Sequence, residues 1–511
     1  MITINEQDYR RRVLGCWMGK NIGGTLGAPF EWKRQINEVS FYTQELGGEP
    51  LPNDDLDIQL LWVMALEERG IELDAHVLSE YWCLYVTPHW VEYGTAKINM
   101  RAGLLPPLCG ILNNLYKHSC GAFIRSEVWA CIAPGLPRLA MRYAYEDAIL
   151  DHGDGEGVYG EMFCAALESA AFVEQDLSKL IEIGLSYIPE DCGVAGAVQA
   201  AVAAHQAGKS WREARDEVLR HYRGGMFDWE VSPADHAKGL GGGQLGWDAP
   251  ANIGMLIIGL LYGEGDFGRT ICTAVNCGED TDCTAATAGA IYGLLHGIEA
   301  IPPRWIEPIG HKINTATLDL GDLDPYGKRL PRTVDDLTER TARLAQQVLL
   351  RYQPSVELAK DKPTDLSGVH RETLLAGPAK AELYANLGAT VFRFPFFEVA
   401  VDYGEEPTIR DNTPKTIRLR VRNTHTIQAN LNVRWYAPEG WQVLPARQGT
   451  FFSAPASMGG KLYELAFTLQ AERVPETLTR LVVELTSEGR PTVMLAPITL
   501  WNGNLAPELS P

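Results

Sequence analysis

The segment from Gly278 to Gly297 limits the possible folds of this chain more than any other segment. It reads G-E-D-T-D-C-T-A-A-T-A-G-A-I-Y-G-L-L-H-G, so that mostly small residues follow the acids. Small residues on every face suit a helix that is buried among other helices. Asp280 and Asp282 would then stand at the helix start, where backbone N–H groups and the helix dipole favour negative charge. The segment therefore predicts a buried central helix with an acidic start.

The residues alone leave two interpretations of these acids open. One carboxylate at the start of a helix is explained by capping. A second carboxylate with hydroxyl neighbours exceeds what a cap needs, and paired oxygen ligands of this kind suit Mg²⁺, Mn²⁺ or Ca²⁺. Asp280 and Asp282 are therefore candidates either for a helix cap or for a hard-cation site.

A second acidic cluster, from Asn53 to Asp57, also opens a predicted helix. Asn53 or Asp54 is suited to be the N-cap of that helix. Three aspartates stand within four residues here. They repel one another, so a bound cation would relieve an electrostatic cost. Capping and cation binding are again both compatible with the residues.

Near the N-terminus, glycines recur at four-residue spacing and lead to one acid. They are Gly15, Gly19, Gly23 and Gly27, and Glu31 follows them. Glycine has no Cβ atom, so such a spacing lets two helices approach closely. By itself this run predicts a packing helix followed by an ordinary surface glutamate.

Charge and cysteine usage exclude several classes of protein. The formal net charge of −20 argues against binding a nucleic-acid backbone, which needs a basic surface. A small anionic ligand stays compatible with it, because metals or helix N-termini supply local positive charge. The 10 cysteines include no Cys-x-x-Cys pair, which argues against a zinc site or a disulfide framework. No signal-peptide core or bilayer-length apolar run occurs, so we expect a cytoplasmic protein without membrane contact.

The pattern along the chain predicts two domains. Residues 1–352 have helical spacing of apolar residues, as at 57–70 and 334–350, and residues 353–370 resemble a linker. Residues 371–511 predict an accessory β-sandwich of immunoglobulin-like type. Its predicted strands are 416–423, 430–436, 461–469, 479–486 and 492–501. Packing and the binding of carbohydrate or protein both stay open as its role.

Together the three acidic elements resemble the motifs of the ADP-ribosylglycohydrolase family, whose fold is shared by the dinitrogenase reductase-activating glycohydrolases and the J1 crystallins. The family motif G-x-x-x-G-D-x-x-G-x-x-x-E is similar to Gly19 to Glu31. Its T-D-D-T motif is similar to Asn53 to Leu56, and its G-D-T-D-T motif to Gly278 to Cys283. The resemblance covers about residues 8–350. It implies a large all-α ADP-ribosylglycohydrolase-like catalytic domain, to which the β-sandwich is added.

The resemblance also implies a metal centre. In the family pattern, Glu31, Asp54, Asp55, Asp280 and Asp282 would bind two divalent metal ions, Mg²⁺ or Mn²⁺. Such ions could coordinate the cis hydroxyls of a ribose and bind a water beside its anomeric carbon. Glu31 or Asp55 would take the proton as the catalytic carboxylate. Nearby carboxylates would stabilise a transition state of oxocarbenium character.

Several positions depart from the family motifs. Gly24 stands where the family commonly has Asp, and Asn53 and Leu56 stand where it has Thr. Cys283 replaces a Thr that often completes the shell of the second metal, and a thiol is a poor ligand for Mg²⁺. Either a neighbouring threonine substitutes, or one metal site is weak.

Five further residues are candidates for substrate contacts: Arg125, His152, Asp154, Trp247 and Asn252. Arg125 lies in a segment that resembles one near the family's ligand and suits an anionic group. His152 and Asp154 lie in a segment similar to one beside the family's pocket, although a cap or surface role also explains them. Trp247 could stack on a base or a sugar.

The glycine-rich segment 239–252 holds two of these candidates, with His236 and Asp248 as further polar groups. Its glycines could let backbone N–H groups approach a phosphate. No G-x-x-x-x-G-K pattern is present, so it is not a P-loop, and a flexible surface loop is the alternative.

These features lead to one main hypothesis and two alternatives. The main hypothesis is a metal-dependent hydrolase of a ribosyl N- or O-glycosidic bond. Its substrate would be an ADP-ribosylated protein or a small ADP-ribosyl or nucleoside-like molecule. The first alternative is a metal-independent glycoside hydrolase with paired carboxylates as acid and base. The second is a non-catalytic ADP-ribose-binding or crystallin-like protein.

Overall fold

The chain divides into two compact units. One comprises Met1–Lys97 and Asn113–Ala381, and the other comprises Ile98–Leu112 and Glu382–Pro511. The computed structural model describes residues 2–222, 246–318, 329–352, 356–404, 406–458 and 462–505.

Helices dominate the first unit, as the sequence predicts. The α-helices in the described residues are α1 (Glu6–Gly27), α2 (Asp54–Arg69), α3 (Ala75–Tyr85), α4 (Val91–Arg101), α5 (Leu108–Ile111), α6 (Glu127–Ile132), α7 (Pro137–Ala148), α8 (Glu156–Ala170), α9 (Leu177–Ser186), α10 (Gly193–Gln206), α11 (Trp211–Tyr222), α12 (Ala249–Tyr262), α13 (Phe267–Asn276), α14 (Thr281–His296), α15 (Pro303–Ile306), α16 (Val334–Tyr352), α17 (Arg371–Leu374) and α18 (Ala379–Tyr384). None of the helices in the described ranges is both long and apolar enough to cross a membrane.

The pair of helices α1 and α14 lies at the centre of this unit. A Cβ atom on Gly19 would lie 2.1 Å from the carbonyl oxygen of Gly289, and one on Gly23 would lie 2.1 Å from that of Ala285. Because neither glycine has a side chain, the two backbones touch directly. All residues from Thr281 to Leu294 are buried. The predicted central helix of small residues is therefore confirmed.

A short parallel ladder joins two distant segments of the first unit. Strand β1 (Ile2–Asn5) pairs with β2 (Val356–Ala359). Beside it, the backbone N–H of Thr3 donates to Asp365 O at 3.0 Å, and that of Asp365 donates to Thr3 O at 2.8 Å. The sequence predicts a linker at residues 353–370, but these backbone bonds make residues 356–365 part of the helical unit.

The second unit contains two five-stranded sheets. The strands are β3 (Thr390–Phe394), β4 (Phe397–Asp402), β5 (Thr408–Ile409), β6 (Lys415–Asn423), β7 (Ala429–Tyr436), β8 (Gln442–Leu444), β9 (Gln448–Ser453), β10 (Tyr463–Gln470), β11 (Leu478–Ser487) and β12 (Val493–Asn502). One sheet has the order β3-β4-β6-β10-β8 and the other β5-β12-β11-β7-β9. Within them, β5 and β12 pair in parallel.

Apolar side chains of both sheets share one core. Leu419 on β6 and Leu485 on β11 belong to it, together with Leu104 and Leu108 from the earlier segment. The predicted helical domain therefore lacks residues 98–112, because their apolar side chains pack in the core of the second unit. The strand-rich character of residues 371–511 is confirmed, and its immunoglobulin-like type stays a prediction.

Candidate functional site

Glu31 reaches the candidate site through a backbone contact between two helices. Gly27 ends α1, and a Cβ atom on it would lie 2.4 Å from the backbone nitrogen of Asp282. A single 3₁₀ turn, Ala28–Phe30, then leads to Glu31. The close approach of α1 to the start of α14 thus places Glu31 near the acids of α14.

Four of the five predicted metal ligands converge. Glu31, Asp280 and Asp282 each offer a carboxylate oxygen, and these oxygens lie within 4.8 Å of one another. Asp55, Asp282 and Cys283 form a second group, whose oxygen and Sγ atoms also lie within 4.8 Å of one another. Asp282 belongs to both groups, so acids from distant parts of the chain lie close together at one site.

Asp54, the fifth predicted ligand, is the first residue of α2. The hydroxyl of Tyr93 donates to its Oδ2 at 3.2 Å. Burial, and then the charge of Asp282, raises the pKa of Asp54 to about 6. Asp54 therefore lies within the electrostatic field of the other acids while Tyr93 holds its side chain.

Capping does not account for these carboxylates. Asn53 Oδ1 accepts from the backbone N–H of Asp55 at 2.7 Å and so caps α2. Asp280 occupies the N-cap position of α14, but its side chain makes no capping hydrogen bond in the described structure. The acids at both helix starts are thus available for another role.

Several buried oxygen atoms of the acids lack hydrogen-bond partners among the described residues. They are Oδ2 of Asp55, Oδ1 of Asp280 and Oδ1 of Asp282. The three side chains are almost fully buried, since the residues are 1%, 3% and 4% exposed. Each unsatisfied buried group costs roughly 1–3 kcal/mol, and more when it is charged. A bound cation would remove this cost, so the donor set fits a hard divalent ion.

The same crowding changes the proton affinity of Glu31. Burial, and then the charges of Asp282, Asp54 and Asp55, raises the pKa of Glu31 to about 10. Burial also raises the pKa of Asp280 and of Asp282. In the absence of cations, burial and mutual repulsion therefore increase the proton affinity of these acids.

A buried lysine network holds Asp55 in place, and the sequence motifs did not reveal it. Lys20 Nζ lies 3.4 Å from Asp55 Oδ1 and donates to Glu127 Oε1 at 2.7 Å. Gln59 Nε2 donates to Glu127 Oε2 at 2.8 Å and to the carbonyl oxygen of Asp55 at 2.9 Å. Burial alone would lower the pKa of Lys20, but Glu127 and Asp55 raise it above its ordinary value. Lys20 is thus a fixed positive charge beside the acids.

Two of the departures from the family motifs compensate for each other. A Cβ atom on Gly24 would lie 2.0 Å from Nδ2 of Asn53. The Asn53 side chain therefore occupies the space that a larger residue at position 24 would need. Glycine and asparagine at these positions form a matched pair.

The threonines near Cys283 have other partners. The hydroxyl of Thr281 donates to the carbonyl oxygen of Gly27 at 2.8 Å, and that of Thr284 donates to the carbonyl oxygen of Thr281 at 3.3 Å. These hydroxyls support the helix contact, while Cys283 Sγ lies among the potential ligand atoms.

Arg125 lies in a buried ion-pair network. Its Nε donates to Asp147 Oδ1 at 2.9 Å and its Nη2 donates to Asp151 Oδ1 at 2.6 Å. Its Nη1 donates to the carbonyl oxygen of Gly121 at 2.9 Å, and the residue is 0% exposed. This placement is unfavourable for the predicted contact with an anionic substrate group and indicates a role in holding the loop at Gly121.

His152 and Asp154 lie in different environments. His152 is fully buried, with Nε2 2.9 Å from Ser119 Oγ and Nδ1 2.8 Å from Asp151 Oδ1. Asp154 is exposed and pairs with Lys117 Nζ at 2.8 Å. The structure thus places His152 in the buried support of residues 119–121 and Asp154 on the surface.

Trp247 and Asn252 border the acidic cluster. The ring of Trp247 makes an edge contact with Trp32, at a centroid distance of 5.5 Å. Trp32 directly follows Glu31 and is 48% exposed. Asn252 is fully buried, and its Oδ1 accepts from the backbone N–H of Asp280 at 3.0 Å. Trp32 is thus an accessible ring in contact with the half-buried Trp247, whereas Asn252 positions Asp280.

The rest of the glycine-rich segment contributes less to the observed site. Residues 239–245 and His236 lie outside the described residues. Asp248 is buried and pairs with Arg34 Nη2 at 3.1 Å, and the same nitrogen lies 2.8 Å from Glu279 Oε2. Arg34 therefore ties the segment around Asp248 to the residue before Asp280.

Comparison with known proteins relates most of the helical unit to one protein family. A family model described as ADP-ribosylglycohydrolase matches residues 5–349. An ADP-ribosylarginine hydrolase Tri1 of Pseudomonas putida (strain GB-1) is 32% identical over 80 residues, which are 14% of this chain and 22% of the relative. The matched part thus spans about a fifth of the length of that curated relative.

Two solved structures are also similar to parts of the chain. An ADP-ribosylglycohydrolase-related protein complex covers 68% of this chain and 100% of its own, at 20% identity and a TM-score of 0.42. A FixG-related protein from Vibrio parahaemolyticus covers 22% of this chain and 99% of its own, at 13% identity and a TM-score of 0.18.

Proposed function

Because the chain belongs to the ADP-ribosylglycohydrolase family, we propose that it hydrolyses a ribosyl N- or O-glycosidic bond at a metal centre in its helical unit. The observation that carries this proposal is the convergence of Glu31, Asp280 and Asp282, whose oxygen atoms lie within 4.8 Å of one another. A cap or a surface cluster would not need acids from segments so far apart in the chain.

The proposed ligands of two divalent ions, Mg²⁺ or Mn²⁺, are Glu31, Asp54, Asp55, Asp280 and Asp282. Their fit is supported by the buried oxygen atoms that have no hydrogen-bond partner in the described part of the chain. When bound, such ions polarise the ribose hydroxyls and lower the pKa of a water that they hold.

Glu31 is the proposed general base, ahead of Asp55. Glu31 is half-buried and Asp55 is 1% exposed, so Glu31 has the better access to a solvent water. Asp55, held near Lys20, would contribute negative charge that stabilises an oxocarbenium-like transition state.

The aromatic pair beside Glu31 is the proposed substrate platform. Trp32 presents an accessible ring next to the carboxylates, and Trp247 fixes it from the side. An aromatic face of this kind can stack on the base or the ribose of an ADP-ribosyl group. The curated relative is an ADP-ribosylarginine hydrolase, so ADP-ribosyl-arginine is the first substrate to test.

Turnover by the full chain tests the proposal. ADP-ribosyl-arginine, ADP-ribosyl-serine and a panel of nucleosides would be incubated with the protein and Mn²⁺, and released ribosyl product measured by chromatography. Glu31→Gln should lose about 10²–10⁴-fold in turnover, and the surface variant Glu299→Gln should not.

Two results would contradict the proposal in different ways. Turnover that persists in EDTA would favour the metal-independent hydrolase with paired carboxylates. Tight binding of ADP-ribose without turnover of any substrate would favour the non-catalytic binding protein.

A further inference from the structure

Two thiols adjoin the carboxylate cluster. Cys120 Sγ, Cys283 Sγ and a carboxylate oxygen of Asp280 all lie within 4.8 Å of one another. Cys120 Sγ donates to Asp280 Oδ2 at 2.8 Å. Cys120 precedes the 3₁₀ turn Phe123–Arg125, whereas Cys283 lies in the first turn of α14, so distant segments supply the two sulfur atoms.

The three residues are buried, and one carboxylate oxygen lacks a hydrogen-bond partner within the described part of the chain. Cys120, Cys283 and Asp280 are 5%, 6% and 3% exposed. Oδ1 of Asp280 has no hydrogen-bond partner among the residues that the structure describes. A buried carboxylate beside two thiols, with one oxygen bonded to a thiol and the other without a partner in the described structure, is a donor set that a cation would complete.

The surrounding contacts fix these donors before any ion binds. The backbone N–H of Cys120 donates to the carbonyl oxygen of Trp247 at 2.8 Å. The neighbouring Ser119 contacts His152, and Asn252 Oδ1 holds the backbone N–H of Asp280. Such support lowers the entropic cost of assembling the ligands.

We propose that Cys120, Cys283 and Asp280 form a subsite for a thiophilic divalent cation such as Zn²⁺, Cd²⁺ or Co²⁺. Sulfur ligands select such ions, whereas Mg²⁺ requires oxygen ligands. Each thiol releases its proton to solvent when the ion binds, and the thiolate sulfur then donates to the metal. The proposal rests on the metal centre of the proposed function, because Asp280 belongs to both ligand sets.

The group of Asp55, Asp282 and Cys283 extends the preference for thiophilic ions to the carboxylate centre. Cys283 Sγ also lies within 4.8 Å of the ligand oxygens of Asp55 and Asp282. Cys283 therefore belongs to both groups of potential ligand atoms. A centre with this residue should hold Zn²⁺ or Co²⁺ more tightly than a centre built from oxygen ligands alone.

Titration of the EDTA-treated full chain with Cd²⁺ and Co²⁺ tests the subsite, with sulfur-to-metal charge-transfer absorption as the readout. The wild type should show the absorption, and Cys120→Ser and Cys283→Ser should each lose most of it. Cys272→Ser, at a buried cysteine on α13, is the matched control and should keep it. Cys283→Ser should also weaken Zn²⁺ binding by at least about tenfold, the effect that even outer-shell changes reach.

The outcomes separate this inference from the proposed function. Mn²⁺ binding, measured on the same samples by electron paramagnetic resonance, reports the carboxylates alone. Mn²⁺ binding without charge-transfer absorption would overturn the thiol subsite and leave the carboxylate centre intact. Absorption that survives in both Cys120→Ala and Cys283→Ala, with circular dichroism as wild type, would overturn the subsite as well. Binding of neither metal would overturn both proposals.

Discussion

A Cβ atom on Gly27 would lie 2.3 Å from the carbonyl oxygen of Thr281. Helix α1 can therefore end against the start of α14 because residue 27 has no side chain. Glu31 lies one short turn further along, so the packing of the two helices and the geometry of the acids depend on the same glycine.

Gly27→Ala should disturb both the fold and the site. Overpacking against a backbone atom costs about 1–3 kcal/mol, and it would move Glu31 away from Asp280 and Asp282. We expect a lower thermal midpoint and weaker Mn²⁺ binding by isothermal titration. Gly160→Ala is the control, since its Cβ would meet Phe123 Cβ at an ordinary 3.6 Å. Equal Mn²⁺ affinity in the two variants would contradict the link between Gly27 and the site.

Asp280→Ala should abolish metal binding with little loss of stability. Asp280 makes no capping bond, and its removal relieves repulsion with Asp282. Asp176→Ala should behave in the opposite way, because Asp176 Oδ1 caps α9 through the N–H of Ser178 at 2.9 Å. Losing that cap costs about 1 kcal/mol. Thermal midpoints recorded with Mn²⁺ and with EDTA distinguish the two variants. A stabilising Mn²⁺ shift that survives in Asp280→Ala would be incompatible with its role as a ligand.

In the EDTA-treated protein, the contribution of Glu31 to stability should fall as pH rises. The pKa of Glu31 rises from an ordinary 4.5 to about 10 on folding, so the folded chain retains a proton there that the unfolded chain releases. This contribution is complete below the ordinary pKa and is lost progressively as pH rises toward the folded pKa. Glu31→Gln has no such group to titrate.

The thermal midpoint of Glu31→Gln minus that of the wild type should therefore increase between about pH 5 and about pH 8. In Glu49→Gln this difference should not increase, because a hydrogen bond from Lys312 lowers the pKa of Glu49. A difference for Glu31→Gln that stays constant with pH would show that the folded state does not hold this proton.

Trp32→Ala should weaken substrate binding more than it affects stability. The side chain is accessible and stacks at its edge on Trp247, so its loss removes a platform worth about 1–3 kcal/mol per stacked base. We expect KM for the ADP-ribosyl substrate to rise with kcat little changed. Trp90, 52% exposed, gives a control in Trp90→Ala, whose KM should match the wild type. A fall in kcat at constant KM would place Trp32 in another role.

The sequence predicted the elements of the site better than it predicted their individual roles. The glycine spacing and the small-residue segment led correctly to two closely packed helices, because residue size alone controls how near two backbones come. The aspartates of the second cluster separate in the structure. Asp57 accepts a hydrogen bond from the backbone N–H of Ala316 at 2.6 Å, whereas its sequence cluster suggested capping or cation binding. Local sequence does not reveal such a partner far along the chain.

Contacts between distant segments account for the other differences. Arg125 satisfies buried acids, and its sequence neighbourhood gave no sign of those partners. The spacing of cysteines argued against a thiol-bound metal, yet Cys120 and Cys283 come together because the loop before α6 packs at the start of α14. In the second unit, β8 and β5 are too short to show a period of two. Alternation identified the longer strands such as β7.

Anomalous diffraction from crystals of the full chain grown with Mn²⁺ would show whether the carboxylates bind a metal ion. We expect anomalous density between the carboxylates of Glu31, Asp280 and Asp282, with loss of that density in Asp280→Ala. Density that is absent from this place at saturating Mn²⁺, with the carboxylates instead held by protein donors, would contradict the proposed metal centre.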